Sequence, residues 1–492
     1  MKTNQSAVVG LLAALALACA PCAVAKVPGI GGTPAIDAPA SCPAVAPGAS
    51  SGTTRDFELT ARAGHITLGD GNTLYSWGLS TDGAAAADSG AMQYPGPTLI
   101  VCEGDLVRVR LHNQLPDAVS LLFPGQGIAT ASGDGAGLLT SEAAALSGTA
   151  DYSFIAQHAG TYQYHSGTQP EVQVEMGLLG ALIVRPGGFA DGTYAAHDVE
   201  RRAYGAAGAA ASAYDVEYLF FLSEMDRAFH EAMEDALRNP ATVARPNAAN
   251  LKETLWFING RNGPDTMIEQ QAAWLPSQPY NALAQMHPGD RVLMRLIAAG
   301  RDLHPFHHHG NNAWLIARDG RVLESIADSA VSYPDDAGVP DLVALNRKLP
   351  DQAVSNFTIQ TVPGGTYDAI FTWTGKLLNW DVYGHLAGHV PGAACTAATR
   401  LPFEDPDSHC KAFPVTLPEQ QQLQFGGLWS GSPFLGNGAP LPPLQGGLNP
   451  NGGFSFMWHS HTERELTNDD IFPGGMMTMM IVQAADSAAV IE

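Results

Sequence analysis

Apolar and polar residues alternate with a period of two along several short runs of this chain. Phe57-Glu58-Leu59-Thr60-Ala61-Arg62 is one, and Leu106-Val107-Arg108-Val109-Arg110-Leu111 is another, with its arginines on the outward face. That period sends successive side chains to opposite faces of an extended backbone, so both runs predict half-buried strands. Other runs are mainly apolar and bounded by turn residues. They are Leu99-Ile100-Val101 after Tyr94-Pro95-Gly96-Pro97-Thr98, Gly177 to Val184, Val216 to Phe221, and Met476 to Val482. They predict buried strands. Arg227 to Leu237 predicts a short helix. Pro288-Gly289-Asp290-Arg291-Val292-Leu293-Met294-Arg295 echoes Glu103-Gly104-Asp105-Leu106-Val107-Arg108-Val109-Arg110, which predicts a second block repeating the fold of the first. Strands joined by Gly/Pro turns, without alternating helices, give an all-β architecture of sandwich or Greek-key type.

Composition adds scale and compartment. The 492 residues, 45% hydrophobic, suffice for two or three packed domains. A net charge of −23 disfavours nucleic acid and anionic lipid as partners and suits cations or simple solubility. Met1 to Ala25 reads as a signal peptide, with Lys2, an apolar stretch Val8–Ala20 and Ala23-Val24-Ala25 as the cleavage site. No other segment reads as a membrane span, so the expected location is periplasmic or extracellular. Export permits disulfides. Cleavage after Ala25 leaves Cys42, Cys102, Cys395 and Cys410, which allow three pairings. We favour Cys395–Cys410, closing a Pro-rich loop, and Cys42–Cys102, pinning the N-terminal arm. Metal binding by these thiols is the competing reading.

The chemistry lies in the histidines. His307 and His309 are two apart, as are His459 and His461, and on a strand such pairs project to one face. Two such strands side by side would gather four imidazoles, which suit copper and zinc. A single histidine is more often structural. His230-Glu231-Ala232-Met233-Glu234 lacks the second histidine of H-E-x-x-H and reads as a surface helix. His385 and His389 read as surface residues, and the methionines 476, 477, 479 and 480 as core packing.

His304-Pro305-Phe306-His307-His308-His309-Gly310 resembles the HPxHxHG copper motif of multicopper oxidases. Met457-Trp458-His459-Ser460-His461, followed by Pro473-Gly474-Gly475-Met476, resembles their HCH and GM segments. Tyr94-Pro95-Gly96-Pro97-Thr98 with Glu103-Gly104-Asp105 is similar to the family's first-domain strand. The resemblance covers roughly residues 57–185 and 215–483. It implies tandem cupredoxin-like Greek-key β-sandwich domains, copper as cofactor, and His165, His307, His309, His459 and His461 as cluster ligands. His304 would be a ligand of the blue, type 1 copper. The pattern is also broken. The first motif, expected near Ser120, has no histidine, and the second keeps only His165 in His165-Ser166-Gly167. Ser460 replaces the type 1 cysteine, and Glu465 stands where the second type 1 histidine belongs. A hydroxyl cannot replace a thiolate there, so no blue copper is expected.

The expected organisation is a signal peptide over 1–25, a flexible arm over 26–54, a first domain over 55–186, a linker over 187–213 and a second domain over 214–484 with an insertion at about 385–453. A three-domain division with 190–285 as a reduced middle domain is the alternative. The expected function is an exported copper-dependent oxidoreductase that works without type 1 copper. Non-catalytic copper binding, or a structural role on the same scaffold, is the other reading. Copper ions are the expected partner, with no nucleic acid and no membrane span. The resemblance permits a homo-oligomer such as a trimer.

Overall fold

The computed structural model describes residues 27–32, 38–46, 48–81, 92–126, 130–192, 201–205, 212–287, 289–324, 352–373, 438–441 and 453–482. The signal-peptide reading, Cys395, Cys410, His385, His389 and nearly all of the expected insertion lie outside them.

The N-terminal block contains β1 (Thr54–Thr67), β2 (Thr73–Ser80), β3 (Gly96–Cys102), β4 (Leu106–Asn113), β5 (Thr130–Gly133), β6 (Thr149–Ile155), β7 (Gly160–His165) and β8 (Leu179–Arg185). They form a sheet ordered β2-β1-β4-β6-β5 and a second ordered β3-β8-β7. Leu59, Val107, Val109 and Leu111 face inward and are buried against Leu99, Val101, Leu182 and Val184 of the second sheet, as the period-two pattern requires. Arg108 and Arg110 face solvent.

The C-terminal block contains β9 (Val216–Met225), α1 (Arg227–Arg238), β10 (Leu255–Ile258), β11 (Ala284–Met286), β12 (Arg291–Ala298), β13 (His304–His308), β14 (Ala313–Arg318), β15 (Arg321–Val322), β16 (Val354–Asn356), β17 (Thr358–Thr361), β18 (Thr366–Thr372), β19 (Gly438–Leu441), β20 (Gly453–Ser460) and β21 (Met477–Val482). One sheet runs β10-β9-β12-β18-β14-β15 and the other β11-β21-β20-β13-β17. Phe220, Leu296, Phe306, Phe371, Phe456 and Trp458 meet between them.

The sequence echo is a structural repeat. β4 pairs parallel with β1, and β12 pairs parallel with β9. The turn before each is built alike. The Asp105 carboxylate accepts the Cys102 amide at 3.0 Å, and the Asp290 carboxylate accepts the His287 amide at 2.7 Å. Gly104 and Gly289 precede these aspartates at φ +84° and +90°, a left-handed conformation that costs glycine nothing.

A buried charged network joins the blocks. Glu217 of β9 receives Arg185 of β8, through paired hydrogen bonds, and Arg295 of β12 at 2.8 Å. Arg295 also donates to Thr161 of β7, whose hydroxyl donates to Asp368 of β18 at 2.6 Å. The expected disulfide Cys42–Cys102 is formed, with Cα atoms 5.5 Å apart. The N-terminal stretch, read from composition as a flexible arm, packs against the first block: Ile30 exchanges backbone hydrogen bonds with Thr98 and Ile100, and Val27 is buried. Composition misses this because the pairing uses main-chain groups that every residue carries.

α1 appears where its sequence predicts it, capped by the Asp226 side chain on the Phe229 amide. His230 is fully buried, however, with its ring nitrogens on the Tyr75 and Glu175 carbonyls at 2.6 and 3.1 Å. The surface-helix reading fails because Phe229, His230, Met233 and Ala236 form a face that packs on the first block. Among the described residues no helix is long and apolar enough to cross a membrane.

Candidate metal centre

β13 and β20 are antiparallel neighbours, with His307 opposite His459 and Phe306 opposite Ser460. Directly opposed residues share a face, so His307 and His459 project together and Ser460 points to the other side. A ligand nitrogen from each of His307, His309 and His459 lies within 4.8 Å of the others, and all three residues are buried. His461 borders the group. Its ring centre is 4.7 Å from that of His307 and 5.7 Å from that of His459, and its side chain, 35% exposed, forms the solvent edge.

The surrounding hydrogen bonds orient the rings. His459 Nδ1 donates to the Ser460 carbonyl at 2.6 Å, which leaves Nε2 as the lone-pair nitrogen. His307 Nδ1 contacts the Thr358 hydroxyl at 2.7 Å, and His461 Nδ1 faces the Glu463 carboxylate at 3.1 Å. Nε2 of His459 and Nε2 of His309 are 3.2 Å apart. Two nitrogens bound about 2.0 Å from one ion at a tetrahedral angle sit about 3.3 Å apart, so this spacing fits a shared ion. Burial, reinforced by the neighbouring imidazoles, lowers the His309 pKa to about 2. Burial first, with His461 adding to it, lowers His459 to about 4. Both are neutral at pH 7, the form that binds metal. The donor set therefore fits an imidazole-bound metal.

His308 faces the core. Its Nε2 accepts the Ala313 amide at 3.1 Å, and its ring packs on Phe371 and Trp458. The remaining two candidates are placed elsewhere. His165 makes no ring contact or hydrogen bond with the cluster. Its Nδ1 meets the Ser166 carbonyl at 2.9 Å, and it lines a separate cavity of about 290 Å³ with Gln163, Gly300 and Gly364. Its strand β7 lies in the three-stranded sheet of the first block, and the group of convergent ligand nitrogens does not include it. His304 cannot offer a lone pair, because Glu224 and Glu465 hold its Nε2 and Nδ1 at 2.9 and 3.0 Å. Glu224 went unnoticed in the sequence. Its only signal is an acid inside the apolar run Leu219–Met225. Of the methionines, Met476 and Met480 are core residues, while Met477 and Met479 are half-buried on the face shared with His459.

A family model for multicopper oxidase matches residues 85–188. Within that segment lie β3, β4 and His165, whereas the imidazole cluster lies beyond it. A multicopper oxidase of Talaromyces pinophilus is 38% identical over 97 residues, 19% of this chain and 15% of that protein. One from Cercospora beticola is 28% identical over 153 residues, 30% of this chain and 24% of that protein. The matches thus span less than a quarter of either relative's length. The crystal structure of a blue copper oxidase from Nitrosomonas europaea is similar at 18% identity, with a TM-score of 0.48, over 87% of this chain and 85% of that one.

Proposed function

We propose that this protein is an exported copper-binding oxidoreductase of the multicopper oxidase type, with copper held by His307, His309 and His459 and with His461 at the solvent edge. The observation that carries the reading is the convergence of three buried imidazoles within 4.8 Å, next to a multicopper oxidase segment in the same chain. Copper bound there would accept and return single electrons. Thr358 and the Ser460 carbonyl orient the His307 and His459 rings through their Nδ1 atoms. Burial keeps His309 and His459 neutral, and Trp458, which donates to the His309 carbonyl at 3.1 Å, fixes the backbone that carries His309.

With a hydroxyl at Ser460 and His304 committed to carboxylates, the opposite face of the same strands supports no thiolate copper. A homo-oligomer, such as a trimer, would give the separate His165 a neighbouring chain to serve. The second reading, copper carriage without turnover, is favoured by the absence of His165 from the cluster. Oxygen uptake separates the two. Copper-loaded protein supplied with a panel of reductants should consume oxygen, and His459→Ala should abolish it. Stoichiometric copper without oxygen uptake would establish the carrier reading instead.

A further inference from the structure

On the face of β13 away from the cluster, one imidazole is held between two acids. His304 Nε2 lies 2.9 Å from Glu224 and its Nδ1 3.0 Å from Glu465, and all three side chains are at most 4% exposed. Two carboxylates on the two ring nitrogens call for two N–H donors, so His304 is an imidazolium. Burial alone would lower its pKa, but the hydrogen bonds and charges of Glu224 and Glu465 outweigh that and raise it to about 10. Because the acids approach from opposite sides of the ring, the three groups cannot share one ion.

The surroundings are built to hold this arrangement. Glu224 accepts the Arg301 and Asp302 amides. Gly300 sits at φ +96°, and a Cβ there would collide with both Glu224 oxygens. Glu224 lies near the end of β9, and Glu465 lies in the 3₁₀ turn Glu463–Leu466 that begins two residues after His461. The His304 carbonyl is itself anchored by the Thr361 hydroxyl at 2.7 Å. A single imidazolium therefore ties together β9, the start of the strand that carries His307, and the turn that follows His459 and His461.

We propose that Glu224, His304 and Glu465 form the positioning clamp of the candidate metal centre, fixing β13 against the turn after β20 so that the cluster imidazoles converge. The assignment rests on the copper reading above. Outer residues that orient metal ligands are worth roughly 10–100-fold in affinity, and one step further out the lower end applies.

The test uses the full chain titrated with copper(II) sulfate against a competing chelator, with the electron paramagnetic resonance spectrum of the bound ion as the second readout. Glu465→Ala should weaken copper binding roughly tenfold and split the resonance into more than one species. Glu465→Gln keeps an oxygen that can accept from Nδ1 and should restore a single species. Glu217→Gln in the network between the blocks should lower thermal stability while leaving copper affinity and spectrum as in the wild type. If Glu465→Ala does not fold, Glu465→Ser, which leaves room for water, gives the same readings. A folded Glu465→Ala or Glu465→Ser with wild-type affinity and spectrum overturns the clamp alone. A wild type that takes up no copper overturns the copper reading and the clamp with it.

Discussion

Glu217→Ala tests whether the two blocks are locked by charge. Glu217 is buried between Arg185 and Arg295, whose side chains are 5% and 0% exposed. Removing the acid leaves two buried guanidiniums short of a partner. Breaking a buried pair costs about 3–5 kcal/mol. Arg295 keeps Asp368 at 3.7 Å and Thr161, and Arg185 keeps the Tyr214 hydroxyl at 3.0 Å, so the lower half of that range applies. The acid's own titration gives a similar figure. Burial would push the Glu217 carboxyl up, but the two guanidiniums outweigh it and hold it down at about 2, from 4.5. That difference corresponds to about 3 kcal/mol at neutral pH. For a block of this size the loss lowers Tm by about 6–12 °C. The depressed pKa also sets the pH dependence. The contribution is full above the unfolded value of 4.5 and is lost as pH falls towards 2. Calorimetry of wild type and variant should therefore show a gap that is widest at pH 7 and closes between pH 4.5 and about 2. A gap below about 1 kcal/mol at pH 7, or one that widens in acid, would refute the reasoning.

Three further outcomes are expected. Gly300→Ala should destabilise the protein by about 1–3 kcal/mol, because it combines a left-handed φ with a collision on the Glu224 carboxylate, and denaturant unfolding reads it. Cys42→Ala opens a crosslink spanning 60 residues and should cost up to about 4 kcal/mol in the same assay; an unchanged midpoint would show that the bond does no work. Copper-loaded protein should lack the intense blue absorption of a copper–thiolate centre, since Ser460 lies where a thiolate would be needed; a strong blue band would contradict the placement of that residue.

Much of the fold was legible because it is written locally. The alternation in Leu106–Leu111 and the repeated Gly-Asp turn need only neighbours in sequence to be read. The cluster was legible for the same reason: two H-x-H pairs on strands must each present one face, and β13 beside β20 then brings them together. What sequence reasoning missed is non-local. Glu224 and Glu465 lie 80 and 161 residues from His304, and nothing near His304 announces that its nitrogens are taken. His165 was assigned by motif, and its position depends on how the first block packs against the second. His230 looked solvent-facing in a charged helix until the packing of that helix on the first block buried it.

Elemental analysis of copper bound per chain, in the wild type and in His307→Ala/His309→Ala, tests the central claim most directly. The account predicts one or two copper ions in the wild type and their loss in the double variant, with the fold retained by circular dichroism. A wild type that binds none, or a double variant that binds as much as the wild type, would contradict it.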